Sequence, residues 1–71
     1  MDETLEDLMD LLKALKVEED DAAAILLLLK TPEMQDELID WILQTYHQNR
    51  DLLTTQNVIR KAWQIGGLIG E

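Results

Sequence analysis

The chain has 71 residues, 15 acidic against 6 basic side chains, a formal net charge of −9 and no cysteine. A chain this short buries only about 60% of the surface its unfolded form exposes, so it supports one small core, with no disulfide frame or thiolate metal site to reinforce it. With no serine and a single histidine, it also lacks the parts of a serine or cysteine triad.

Helical periodicity runs through the chain, and no alternating or β-branched stretch reads as a strand. The expected fold is all-α: one domain over 1–71 forming a compact four-helix bundle, with helices over about 2–16, 19–30, 32–48 and 55–66 and short loops between them. In the first helix, Leu5, Leu8, Leu12 and Leu15 recur at three- and four-residue steps, and Met9 and Leu11 widen the stripe. Acids fill its first turns, and Lys13 and Lys16 close it, matching the helix dipole at both ends. Thr4 is an alternative start, as a loose capping box.

Val17 to Asp21 leads into the second helix with a run of acids. Five consecutive large apolar residues, Ile25 to Leu29, then cover the whole circumference of that helix, more than a surface helix of a small bundle buries by itself. At 100° per residue, Ala22, Ile25, Leu26 and Leu29 form the core arc. Leu27 falls opposite, on a stripe with Asp20, Ala23 and Lys30. Either the other helices wrap all around this one, or Ala23 and Leu27 meet a second molecule; the second is the expectation, giving a homodimer.

Thr31-Pro32 punctuates the chain, because proline disfavours a helical residue before it and suits the first helical position. Thr31 is therefore the expected N-cap of the third helix. Met34, Leu38, Ile39, Trp41, Ile42, Leu43, Thr45 and Tyr46 take one broad side of it, and Glu33, Asp36, Glu37, Asp40, Gln44 and His47 the other. An arc this wide touches more than one neighbour, which places the third helix centrally. Asn49 to Thr54 reads as a loop anchored by Leu52 and Leu53. Thr54 or Thr55 caps the fourth helix, in which Val58, Ile59, Ala62, Trp63 and Ile65 face inward and Asn57, Arg60, Lys61 and Gln64 outward. Gly66-Gly67 ends it, and a left-handed Gly67 would return Leu68 toward Trp63 in a Schellman ending.

Nothing in this pattern carries catalysis. The carboxylates fall on solvent faces rather than across an apolar cleft. Glu18 to Asp21 lacks the glycine turn and alternate spacing of a calcium loop, and one histidine is too few for zinc. No cofactor is implied. Trp41, Tyr46 and Trp63 read as core rather than as a stacking platform.

Charge is unevenly spread: residues 1–21 carry nine acids and two lysines, a net −7, and the remaining fifty residues only −2. Such a chain starts with the electrostatics against nucleic acid and in favour of a basic protein partner. The expected face for that partner is Glu3, Glu6, Asp7 and Asp10 with Glu18, Glu19, Asp20 and Asp21. The eight-residue apolar run Ala22–Leu29 is far short of a membrane span, and the acidic opening residues are unlike a secretory signal, so a cytoplasmic location and no membrane contact are expected.

The leading expectation is thus a non-enzymatic protein-interaction module, self-associating through Ala23 and Leu27 and presenting acids to a basic partner. The alternative is a regulator linked to nucleic acid: an acidic mimic of DNA, or a DNA binder using Arg60 and Lys61.

Overall fold

The computed structural model describes residues 3–68. Its elements are α1 (Glu3–Ala14), α2 (Glu19–Leu28), α3 (Pro32–Gln48), a 3-10 turn at Arg50–Leu52 and α4 (Thr55–Ile65), with no strand among the described residues. This is the all-α four-helix bundle that the periodicity implies. Its radius of gyration of 11.0 Å equals the roughly 11 Å expected of a compact chain of this length.

Leu8 and Leu12 of α1, Ile25 and Leu29 from α2 and its C-cap, Leu38 and Ile42 of α3, and Val58 and Ala62 of α4 form one core, joined by Val17 from the first loop. Helix α3 meets both α1 and α4, while α2 lies chiefly against α4 with a smaller contact to α1. The broad apolar arc of α3 has this cause: it serves two neighbours.

Helices α1 and α2 each end two residues before the expected boundary, and each end has a local reason. Helix α1 stops at Ala14 rather than Lys16 because Lys16 takes a left-handed conformation, φ 63°. The Lys16 amide then donates to the Lys13 carbonyl at 3.0 Å and the Val17 amide to that of Leu12 at 3.0 Å, a Schellman ending that drops Val17 into the core. The expected start at Asp2 lies outside the described residues.

Helix α2 ends at Leu28, not Lys30, and no glycine closes it. Its C-cap residue Leu29 is fully buried and donates its amide to the Ile25 carbonyl at 2.9 Å. The Leu29 carbonyl accepts from Nε2 of Gln35, in the first turn of α3, at 2.9 Å. Gln35 is itself buried, a polar side chain in the core that the apolar pattern does not reveal.

Helix α3 begins as expected, with the Thr31 hydroxyl accepting from the Met34 amide at 3.2 Å and Pro32 at the first helical position. The loop after it is pinned at several points. The Asn49 side chain accepts from the Asp51 amide at 3.3 Å, Asn57 Nδ2 donates to the Leu52 carbonyl at 2.8 Å, and Leu53 packs on the core. Leu52 is 53% exposed, so Leu53 alone is the apolar anchor of that loop. Thr54, not Thr55, caps α4, accepting from the Asn57 amide at 3.1 Å.

Helix α4 ends at Ile65 with Gly66 as C-cap. Gly67 has φ 81°, its amide donates to the Gln64 carbonyl at 3.1 Å, and that of Leu68 to the Trp63 carbonyl at 2.9 Å. This is the anticipated Schellman ending, although Leu68 stays largely exposed.

Candidate interaction surfaces

Three residues of α2 place an apolar strip on the outside of the bundle. Because α2 lies on α4 and touches α1 only lightly, the side carrying Ala23, Ala24 and Leu27 meets no helix, and all three residues are exposed. Leu27 is 77% exposed, the most exposed of the large apolar residues described. The other helices therefore do not wrap around α2, and the expected pair Ala23 and Leu27 shares one solvent face. Asp20 is exposed one turn before Ala23, and Lys30 is exposed just past the helix end.

The eight acids of the expected face are all exposed, and the four that border clefts are divided among different ones. Glu19 borders a crevice with Met9, Lys13 and Val17, between α1 and the start of α2. Asp21 lines a groove with Gln56, Ile59, Arg60 and Trp63 of α4. Asp7 and Asp10 border a third depression, against Leu11, Ala14, Ile39 and Leu43. Glu3, Glu6, Glu18 and Asp20 are exposed on the remaining helix surface.

The depression beside Asp7 and Asp10 continues into a more apolar one lined by Leu11, Leu15, Ile42, Leu43, Tyr46 and Leu53. Leu11, Ala14 and Leu43 are common to both, so they form one groove along the α1–α3 junction. Leu43 is 45% and Tyr46 49% exposed, where the sequence pattern puts both on the buried side of α3. The reason is geometric: α1 and α4 cover the sides of the arc and leave the stripe Ile39–Leu43–Tyr46 only half covered. At the far end, the Arg50 guanidinium carbon sits 5.0 Å from the Tyr46 ring centroid, and His47 meets that ring edge-on at 5.7 Å. A cation over the ring face is held by the ring quadrupole.

Trp63, expected inward, is 42% exposed and belongs to the groove with Asp21. The expected outward set of α4, which includes the Arg60 and Lys61 of the DNA-binding alternative, is also less exposed than its pattern suggests. Arg60 is exposed, but Asn57, Lys61 and Gln64 are half-buried.

Among the described residues, no group of three or more histidine or acidic side chains is gathered in metal-holding geometry, and no helix is long and apolar enough to cross a membrane. What the surfaces offer chemically is apolar contact bordered by charge. Comparison with known proteins adds nothing to this geometry: no family model, no curated protein and no solved structure matches the chain.

Proposed function

We propose that the chain is a non-enzymatic protein-interaction module that pairs with a second copy of itself through the outer face of α2. The observation that carries this reading is Leu27, a large apolar side chain 77% exposed at the C-terminal end of a strip that begins with Ala23 and Ala24. A lone exposed leucine is ordinary. A leucine one turn after small residues, in a strip with an acid at one end and a lysine beyond the other, has a self-complementary form.

An antiparallel α2–α2 pair about a two-fold axis at the level of Ile25 sets Ala23 opposite the partner's Leu27, large side chain against small. The same axis brings Asp20, in the first turn of α2, toward the partner's Lys30, which stands just past the end of its helix. Both contacts occur twice, as an isologous interface requires. Small residues let the helix backbones approach closely, and the charges at both ends favour the antiparallel register over the parallel one. The low stability available to a core of this size gives the pairing a second role, because burying the strip stabilises the folded chain.

Sedimentation equilibrium tests the reading. The wild-type chain should show twice its 8.2 kDa mass at micromolar concentration, and Leu27→Glu should return it to the monomer with its helix content intact. A monomeric wild type, or a dimer that survives Leu27→Glu, contradicts it.

A further inference from the structure

The α1–α3 groove is separate from the α2 strip, and the two sites have different chemistry. Leu11 and Ala14 of α1 and Ile39, Leu43 and Tyr46 of α3 provide an apolar floor. Moving from Asp7 toward Leu15 on α1 goes with moving from Ile39 toward Tyr46 on α3, so the two helices advance in the same direction along it. Their N-terminal halves therefore share one end of the groove. That end holds Asp7 and Asp10. The other end holds Tyr46 with Arg50 stacked on its ring.

We infer that this groove docks an amphipathic helix of a partner protein, lying antiparallel to α1 and α3 with Lys or Arg in its last turn. The inference rests on the reading of the chain as an interaction module, but it uses none of the α2 residues. Three features select this occupant. The groove from Asp7 to Leu15 spans about 12 Å at 1.5 Å per residue, the length of two helical turns and therefore of an i, i+3, i+4, i+7 apolar set. Its acidic end calls for cations. Cations are favoured in the last turn of a helix, which orients the occupant against α1 and α3 and opposes its dipole to theirs. The positive guanidinium of Arg50 at the other end suits the acidic first turn that such a helix commonly carries.

The probe is a pair of synthetic amphipathic peptides of about 15 residues, long enough to form a helix, alike except for three lysines or three glutamates in the last turn. Each is titrated into the full chain labelled with nitrogen-15. The lysine peptide should shift the amides of residues 7–15 and 39–46, leave those of residues 20–27 unmoved, and bind at least about tenfold tighter than the glutamate peptide. Asp7→Lys combined with Asp10→Lys should cost about tenfold in that affinity, and Leu43→Glu, on a half-exposed position, should abolish it with the helix content unchanged. Equal binding of the two peptides, no binding of either at millimolar concentration, or shifts confined to residues 20–27 would each overturn the inference. So would shifts of residues 7–15 and 39–46 that arise on concentrating the chain alone, since they would give the groove to a second copy. Loss of the dimer in sedimentation, with peptide binding retained, would remove the α2 reading and leave this one standing.

Discussion

The side-chain amide of Gln35 donates to the main-chain carbonyl of Leu29 at 2.9 Å, so the end of α2 is closed from the first turn of the helix that follows. The last carbonyls of any helix lack partners within it, and burial makes such a carbonyl costly to leave unbonded. Gln35 supplies the donor that glycine-based endings obtain from the backbone. The carbonyl oxygen of the same side chain, Oε1, is buried with no hydrogen-bond partner among the described residues, so the arrangement is a compromise. One orphaned acceptor is traded for another, and the chain reversal at Lys30–Thr31 is fixed in the exchange.

Gln35→Glu is nearly isosteric but exchanges the donor for an oxygen facing another oxygen. At neutral pH it should destabilise the fold by about 3 kcal/mol, from burying a charge against a carbonyl. That setting raises the folded-state pKa of the new carboxyl above its unfolded value of about 4.3, so the folded state binds the proton more tightly. Relative to wild type, stability should therefore recover as pH falls through the raised pKa and level off below about 4.3. Urea unfolding of both chains between neutral and acid pH reads this difference. A gap that is constant with pH would show that Gln35 does not hold Leu29.

Lys16 holds a left-handed conformation at the end of α1, which costs a side-chain-bearing residue roughly 1–2 kcal/mol. Lys16→Gly should stabilise the fold by about 1 kcal/mol, raising Tm by about 4–8 °C in a domain of this size. Lys16→Asn should fall between, because asparagine tolerates that region better than lysine. Thermal unfolding followed by circular dichroism measures all three, and a lower Tm for Lys16→Gly would contradict the account.

Gly66 has an ordinary helical φ of −76°, so backbone freedom is not why glycine stands there. A Cβ built at this position would lie 2.6 and 2.8 Å from Cδ1 and Cδ2 of Leu28, and closer still to its Cγ. The ends of α2 and α4 meet at this point. Gly66→Ala should lower stability by about 1–3 kcal/mol in denaturant unfolding, despite the better helix propensity of alanine. Gly66→Ala with Leu28→Ala should recover part of that loss, since the clash is removed.

Two leucines two positions apart should respond oppositely to charge. Leu29 is fully buried, so Leu29→Glu should leave the chain unfolded or molten. Leu27→Glu should keep the far-ultraviolet spectrum and lose only the dimer. Equal damage from both substitutions would show that the face carrying Leu27 is needed for folding itself.

These residues also show what a sequence discloses and what it hides. The exposed strip on α2 was legible because five large apolar residues in a row cannot all face one core, and the wheel identifies Leu27 as the one left out. Thr31-Pro32 and Gly67 were legible because a threonine hydroxyl caps, a proline suits the first helical position and a glycine takes the left-handed position after a helix end. Lys16 sends no such signal: the pull of Val17 into the core imposes its left-handed turn. Gln35 closes α2 through a contact between two elements, which one-helix periodicity does not contain. The groove at Leu43 and Tyr46 stayed hidden for a related reason. Periodicity identifies an apolar face, but only the positions of α1 and α4 decide how much of that face is covered.

The central claim, antiparallel pairing of α2, is tested most directly by a charge exchange read as dimer mass in sedimentation equilibrium. Asp20→Lys alone should weaken the dimer by setting Lys against the partner's Lys30, and Lys30→Asp alone should weaken it by setting Asp against the partner's Asp20. The double variant, Asp20→Lys with Lys30→Asp, restores both opposite-charge pairs and should restore the dimer to near wild-type affinity. A double variant no tighter than the weaker single variant would contradict the pairing.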